Sequence, residues 1–141
     1  MRCHLLVQQS HLLVTTTVRE EVRSALGRGR VDLAERPDAV AELLERAGLA
    51  GLEEQHPLRL SGGQRQRLAV TLAVAAEPEL VLVDEPTSAQ DLAGAEHVRR
   101  LVADGAERRA TVIVSHDPAT FADLATRHLE IHDGTIREAT R

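Results

Sequence analysis

Two apolar runs, "LVLVD" at residues 80–84 and "ATVIVS" at 110–115, constrain this chain more than any other feature. Each is of strand length and almost free of polar interruptions. Each therefore predicts a strand buried on both faces, as in a parallel sheet covered by helices. The stretch between them, "DLAGAEHVRRLVADGAER" at 91–108, reads as a helix. Strands alternating with helices predict an α/β domain with a mostly parallel sheet. In such sheets polar chemistry collects at the carboxyl ends of the strands. Here those ends deliver Asp84 and Glu85 after the first run, and Ser115 and His116 after the second.

The flanking segments fit the same frame. Residues 4–18, "HLLVQQSHLLVTTTV", hold a short strand-like run, a polar break and a Thr-rich approach to a helix. "VREEVRSAL" places Val18, Val22 and Leu26 at helical spacing, with Gly27 and Gly29 expected to break it. "RPDAVAELLERAGLAGL" predicts an amphipathic helix with Pro37 near its first turn, Val40, Leu43, Leu44 and Ala47 on one face, and Gly48 and Gly51 at its end. Ser61 is placed to cap a helix from about Gly62 to Ala76 that Pro78 closes. "PATFADLATR" reads as another helix. "HLEIH", Asp133-Gly134 and "TIRE" predict a terminal hairpin, because Asp-Gly suits left-handed turn positions.

Composition narrows the function classes. The chain has 141 residues, a one-domain length, and its only aromatic residue is Phe121, so Leu, Val, Ile and Ala must build the core. Net charge is −5 and no basic run exceeds two residues, which argues against nucleic acid as a partner. Cys3, the single cysteine, forms no intrachain disulfide and fits a reducing compartment. The longest mainly apolar stretch, Leu68 to Ala76, falls far short of the roughly 20 residues a membrane-spanning helix needs. No basic-then-apolar secretory signal is present. A soluble protein is expected, or one held at a membrane through a partner.

Three motifs carry chemistry. In "VLVDEP" a carboxylate follows a strand and a second follows it, as a magnesium–nucleotide site requires. Asp84 would hold Mg²⁺ through its water shell, and Glu85 would polarise or deprotonate an attacking water. The plain alternative is a polar strand exit into a turn. In "LSGGQ" the backbone N–H groups at Gly62 and Gly63 can approach an anion at a helix N-terminus. Ser61 can donate to a phosphate oxygen and Gln64 can help place it; the alternative is an ordinary capped helix. His116 at a strand end could contact a γ-phosphate or hold the attacking water, although on its own a satisfied loop histidine is the simpler reading.

Order and spacing tie the motifs together. From about Val7 onward the chain resembles the ATP-binding cassette (ABC) ATPases. "LSGGQ" is similar to their signature, "LVLVDEP" to their Walker B strand, "TSAQD" to their D-loop and "VSHD" to their switch-histidine segment. "LVTTTVREEV" is similar to the segment after the Gln loop in the energy-coupling-factor importers, and Gln8 is the residue that fills the Mg²⁺-contacting role when one residue is deleted from the match. An ungapped match puts Val7 there instead. The resemblance implies a P-loop NTPase fold, present in part, with a helical signature subdomain. Residues of about 1–59 would form the Gln-loop and helical part, and about 60–141 the signature, Walker B, D-loop and switch-histidine part.

The resemblance further implies ATP and Mg²⁺ as ligands, a second ABC ATPase domain as partner in a homo- or heterodimer, and a transmembrane transporter subunit. Location would be cytoplasmic, at the inner face of the cell membrane. Ser88 and Asp91 would serve the D-loop contact between the two domains. Nucleotide would sit between domains, so that Ser61, Gly62, Gly63 and Gln64 complete a partner's site while Asp84, Glu85 and His116 serve the chain's own.

Two departures stand out. Gln90 replaces the leucine usual in the D-loop. The chain contains no lysine among its 17 basic residues, and hence no GxxxxGK[ST] phosphate loop. It starts only a few residues before the Gln loop, so the expectation is the carboxyl-terminal part of a transporter ATPase. Each missing charge-assisted hydrogen bond is worth about 1.5–3 kcal/mol, which makes self-sufficient hydrolysis doubtful. A non-enzymatic protein that completes a partner's ATP site is the second reading. The DNA-repair and chromosome-organising branch, which carries long coiled coils absent here, is a distant third.

Overall fold

The computed structural model describes residues 3–6, 15–29 and 31–139. Val7 and Gln8 lie outside the described residues. Among the described residues, five strands and four α-helices follow one another, with two short 3₁₀ turns between them. A three-stranded parallel sheet runs in the order β1 (Cys3–Leu6), β2 (Leu80–Asp84), β3 (Ala110–Val114). The connection from β2 to β3 runs through helix α4 (Leu92–Ala103), as a parallel pair demands.

Helix α1 (Val18–Arg28) starts where the threonines put it. Thr17 accepts from the Glu20 N–H, while Thr16 donates back to Glu20 and the Thr15 N–H donates to the buried Glu21 carboxylate. Gly27 does not break this helix but lies within it, because a glycine costs only about 1 kcal/mol there and packing of Val22, Ala25 and Leu26 outweighs that. Helix α2 (Ala39–Arg46) begins after Pro37, with Asp38 as an N-cap that makes no side-chain bond. Helix α3 (Gly62–Ala75) is capped by Ser61 as expected, and α4 by Asp91. One apolar core gathers Val18, Val22, Leu44, Leu68, Val81, Leu101 and Phe121.

Strands β2 and β3 depart from the expectation of two-sided burial. Val81 and Val83 are buried, but Leu80 and Leu82 on the other face of β2 are only half-covered. In β3, Val112 is 45% and Val114 50% exposed. An apolar run records what a strand can tolerate, and the helices here cover one face more fully than the other. Residues 118–127 form no α-helix either; only Pro118–Phe121 makes a 3₁₀ turn. Phe121 plugs into the core and Asp123 pairs with Arg99 of α4, so tertiary ties hold the segment in place of a helical ladder. The hairpin of β4 (Leu129–His132) and β5 (Thr135–Glu138) is antiparallel. Asp133 and Gly134 both take positive φ, +48° and +72°, the type I′ geometry that Asp-Gly favours.

Candidate functional site

The sheet brings the two polar strand ends together. Asp84 is paired with Val114 in the β2–β3 register, so the residues that follow each strand meet side by side. Glu85 leaves β2 with φ +46°, a left-handed conformation uncommon for a residue with a side chain. Five contacts hold it there. Its N–H donates to Val114 O at 2.8 Å, and its carbonyl accepts from the Ser88 N–H at 3.2 Å and from Gln66 Nε2 at 3.1 Å. The carboxylate accepts from the His116 N–H at 2.9 Å and lies 2.7 Å from His116 Nδ1.

That last contact favours the protonated form of the histidine. The hydrogen bond to Glu85, with the carboxylate's negative charge behind it, raises the His116 pKa above its ordinary 6.5. His116 is itself exposed and Glu85 half-buried. Asp84 ends β2 in an exposed position beside them. Among the described residues no three or more His, Cys, Asp or Glu side chains gather as a metal cage. A single exposed carboxylate at a strand end does suit Mg²⁺, which keeps most of its waters and takes other ligands from phosphates.

The second half of the site is the first turn of α3. Ser61 Oγ accepts from the Gln64 N–H at 3.2 Å, and Gln64 Oε1 accepts from the Ser61 N–H at 2.9 Å, a reciprocal capping box. This arrangement uses an acceptor of Ser61 and leaves its O–H to donate. It also leaves the N–H groups of Gly62 and Gly63 without helical acceptors, as at any helix start. Ser61 and Gly62 are exposed, so the turn faces outward with its donors available. Gly63 cannot be larger, because a Cβ there would stand 2.6 Å from Ala89 O.

Two glutamines link this turn to the Asp-Glu end. Gln66, one turn into α3 and only 3% exposed, donates to Glu85 O, while its own Oε1 is buried without a partner. Gln90 donates from Nε2 to Gly63 O at 2.9 Å and accepts from Arg67 Nη1 at 2.7 Å. Sequence reasoning named Gln90 only as a departure and missed Gln66 and Arg67. Gln66 sits among Gln64, Arg65 and Arg67 in the polar start of α3, so its sequence carried no signal that set it apart. Ser88 contributes its N–H to the Glu85 carbonyl, and Asp91 caps α4 by accepting from the Gly94 N–H at 2.7 Å.

Comparison with known proteins places the chain in a family. A family model described as "ABC transporter" covers residues 2–88. The sulfate/thiosulfate import ATP-binding protein CysA 1 of Agrobacterium fabrum is 36% identical over 91% of this chain and 38% of its own length. The octopine permease ATP-binding protein P of Rhizobium radiobacter is 37% identical over 92% of this chain and 48% of its own. The L-cystine transport system ATP-binding protein TcyN of Escherichia coli is 45% identical over 69% of this chain and 39% of its own. The chain thus spans less than half the length of these three relatives. Among solved structures, the dimeric ATP-binding cassette MJ0796 bound to ADP and Pi in a post-hydrolysis state superposes with a TM-score of 0.78 at 31% identity, over 98% of this chain and 62% of that one.

Proposed function

The chain belongs to the ABC transporter family, within its ATP-binding domain, and on that premise we propose that it serves ATP hydrolysis coupled to transport across a membrane. The observation that carries this reading is the Glu85–His116 pair at the carboxyl ends of adjacent parallel strands, with Asp84 beside it. Glu85 is the base that polarises the attacking water. His116, whose affinity for a proton that carboxylate raises, would swing toward a γ-phosphate and release Glu85 to the water. Asp84 would hold Mg²⁺, which when bound neutralises phosphate charge. Gln66 and the Val114 carbonyl keep the Glu85 backbone fixed while its carboxylate changes partner.

The first turn of α3 faces the nucleotide of a second ATPase domain. There Ser61 O–H, the Gly62 and Gly63 amides and the Gln64 side chain meet phosphate oxygens, with Ser88 and Asp91 at the contact between domains. The 141 residues contain no lysine, so a phosphate-gripping lysine reaches either site from outside them. No helix among the described residues is long and apolar enough to cross a membrane. The reading includes attachment on the cytoplasmic side through a transmembrane subunit, and the similarity to sulfate/thiosulfate import ATP-binding proteins favours import.

The test supplies the missing loop. A P-loop-bearing ABC ATPase subunit whose own signature serine has been replaced is assayed with and without this chain. The expected result is a rise in ATP hydrolysis of about tenfold or more, absent with Ser61→Arg. An unchanged rate with the folded wild-type chain overturns the assignment of residues 61–64.

A further inference from the structure

Gln90 occupies a site shaped for an amide. Its Nε2 donates to Gly63 O at 2.9 Å and its Oε1 accepts from Arg67 Nη1 at 2.7 Å. Arg67 in turn donates from Nε to Ala47 O at 2.8 Å and reaches Gly48 O from Nη2 at 3.4 Å, the two carbonyls just past the end of α2. Two glycines flank the amide. A Cβ on Gly94 would run into Gln90 Oε1 and stand 2.9 Å from Arg67 Nη1, and a Cβ on Gly63 would be 3.4 Å from both polar atoms of Gln90. Gln90 and Arg67 are both half-buried. A leucine at position 90 could make neither bond, and would leave an arginine N–H and a helix-turn carbonyl without these partners.

We propose that Gln90 is a positioning residue: its amide ties the phosphate-facing turn at Gly63 to the loop after β2 and, through Arg67, to the end of α2, so that the three segments shift as one body. The inference deepens the reading of residues 61–64 as a nucleotide contact and rests on it for its functional consequence. Chemistry dictates the direction of that consequence. Gly63 presents an N–H to phosphate and its own C=O to Gln90, so the orientation of one peptide segment is held from behind. Loss of the tie would leave nucleotide encounter intact and loosen the donors at the moment phosphate charge builds. The cost should fall on kcat and leave KM unmoved.

The test uses the full chain and Gln90→Leu. Hydrogen exchange followed by mass spectrometry on each chain alone is expected to show several-fold faster exchange at the amides of residues 62–66 and 48–49, with the 129–138 hairpin unchanged. In the mixed assay with the P-loop-bearing subunit, kcat is expected to fall about tenfold with KM within about twofold. Unchanged exchange at both places overturns the proposal. So does faster exchange across the whole chain with activity lost in proportion to the folded fraction, which marks a packing residue. If the wild-type chain gives no stimulation, the functional reading has failed, and the exchange pattern alone decides whether Gln90 ties the segments.

Discussion

At the scale of single residues, the Glu85–His116 contact makes a measurable claim about protons. A histidine whose folded pKa is raised binds a proton more tightly in the native state than in the unfolded one. The stabilisation is fully present below the ordinary value of 6.5 and is lost as pH rises through the higher folded value. Following the His116 ring protons by NMR should therefore give a midpoint above 6.5 in the wild type. In Glu85→Gln the midpoint is expected to move down, because an amide keeps the hydrogen bond to the backbone and removes the charge. A midpoint unaffected by that substitution would separate the two side chains in solution. The same residue carries a backbone cost: φ of +46° in a non-glycine is sustained only because the Val114, Gln66 and Ser88 contacts over-determine it.

At the scale of elements, helix α3 joins stability to chemistry. Ser61→Ala removes the acceptor for the Gln64 N–H and is expected to cost about 1 kcal/mol, read as a lower urea midpoint. A cost near zero would mean that Gln64 alone holds the turn. This cap was legible in the sequence, as were the Asp133-Gly134 turn and the meeting of both strand ends, because each depends on local chemistry or on a period. What was not legible depends on who packs against whom. "VIV" in β3 reads as doubly buried, yet Val112 and Val114 face outward, since a run of apolar letters carries no information about its cover. Residues 118–127 read as a helix, yet Phe121 and the Arg99–Asp123 pair settle them otherwise. Gln66 escaped notice, and Gln90 was legible only as a departure, because a glutamine earns its place through a distant carbonyl that spacing cannot reveal.

At the scale of the molecule, the open faces set solution behaviour. Val112 and Val114 on β3 lie exposed, as do Leu129, Ile131 and Ile136 on the hairpin. Exposed apolar strand surface at a sheet edge favours association. Sedimentation velocity over a concentration series is expected to show the wild-type chain associating, and Val112→Thr with Val114→Thr associating less. A wild type that stays monomeric at every concentration would contradict this. The sheet order has a consequence in time as well. Leu5 lies beside Leu82 although roughly 75 residues of chain separate them, a contact of high sequence separation. A ribosome adding about 5–20 residues per second leaves the first strand without its neighbour for roughly 4–15 s, whereas helices form in about a microsecond. The nascent chain therefore carries finished helices and an unpaired strand at once, and those seconds of synthesis are when a chaperone has most to shield.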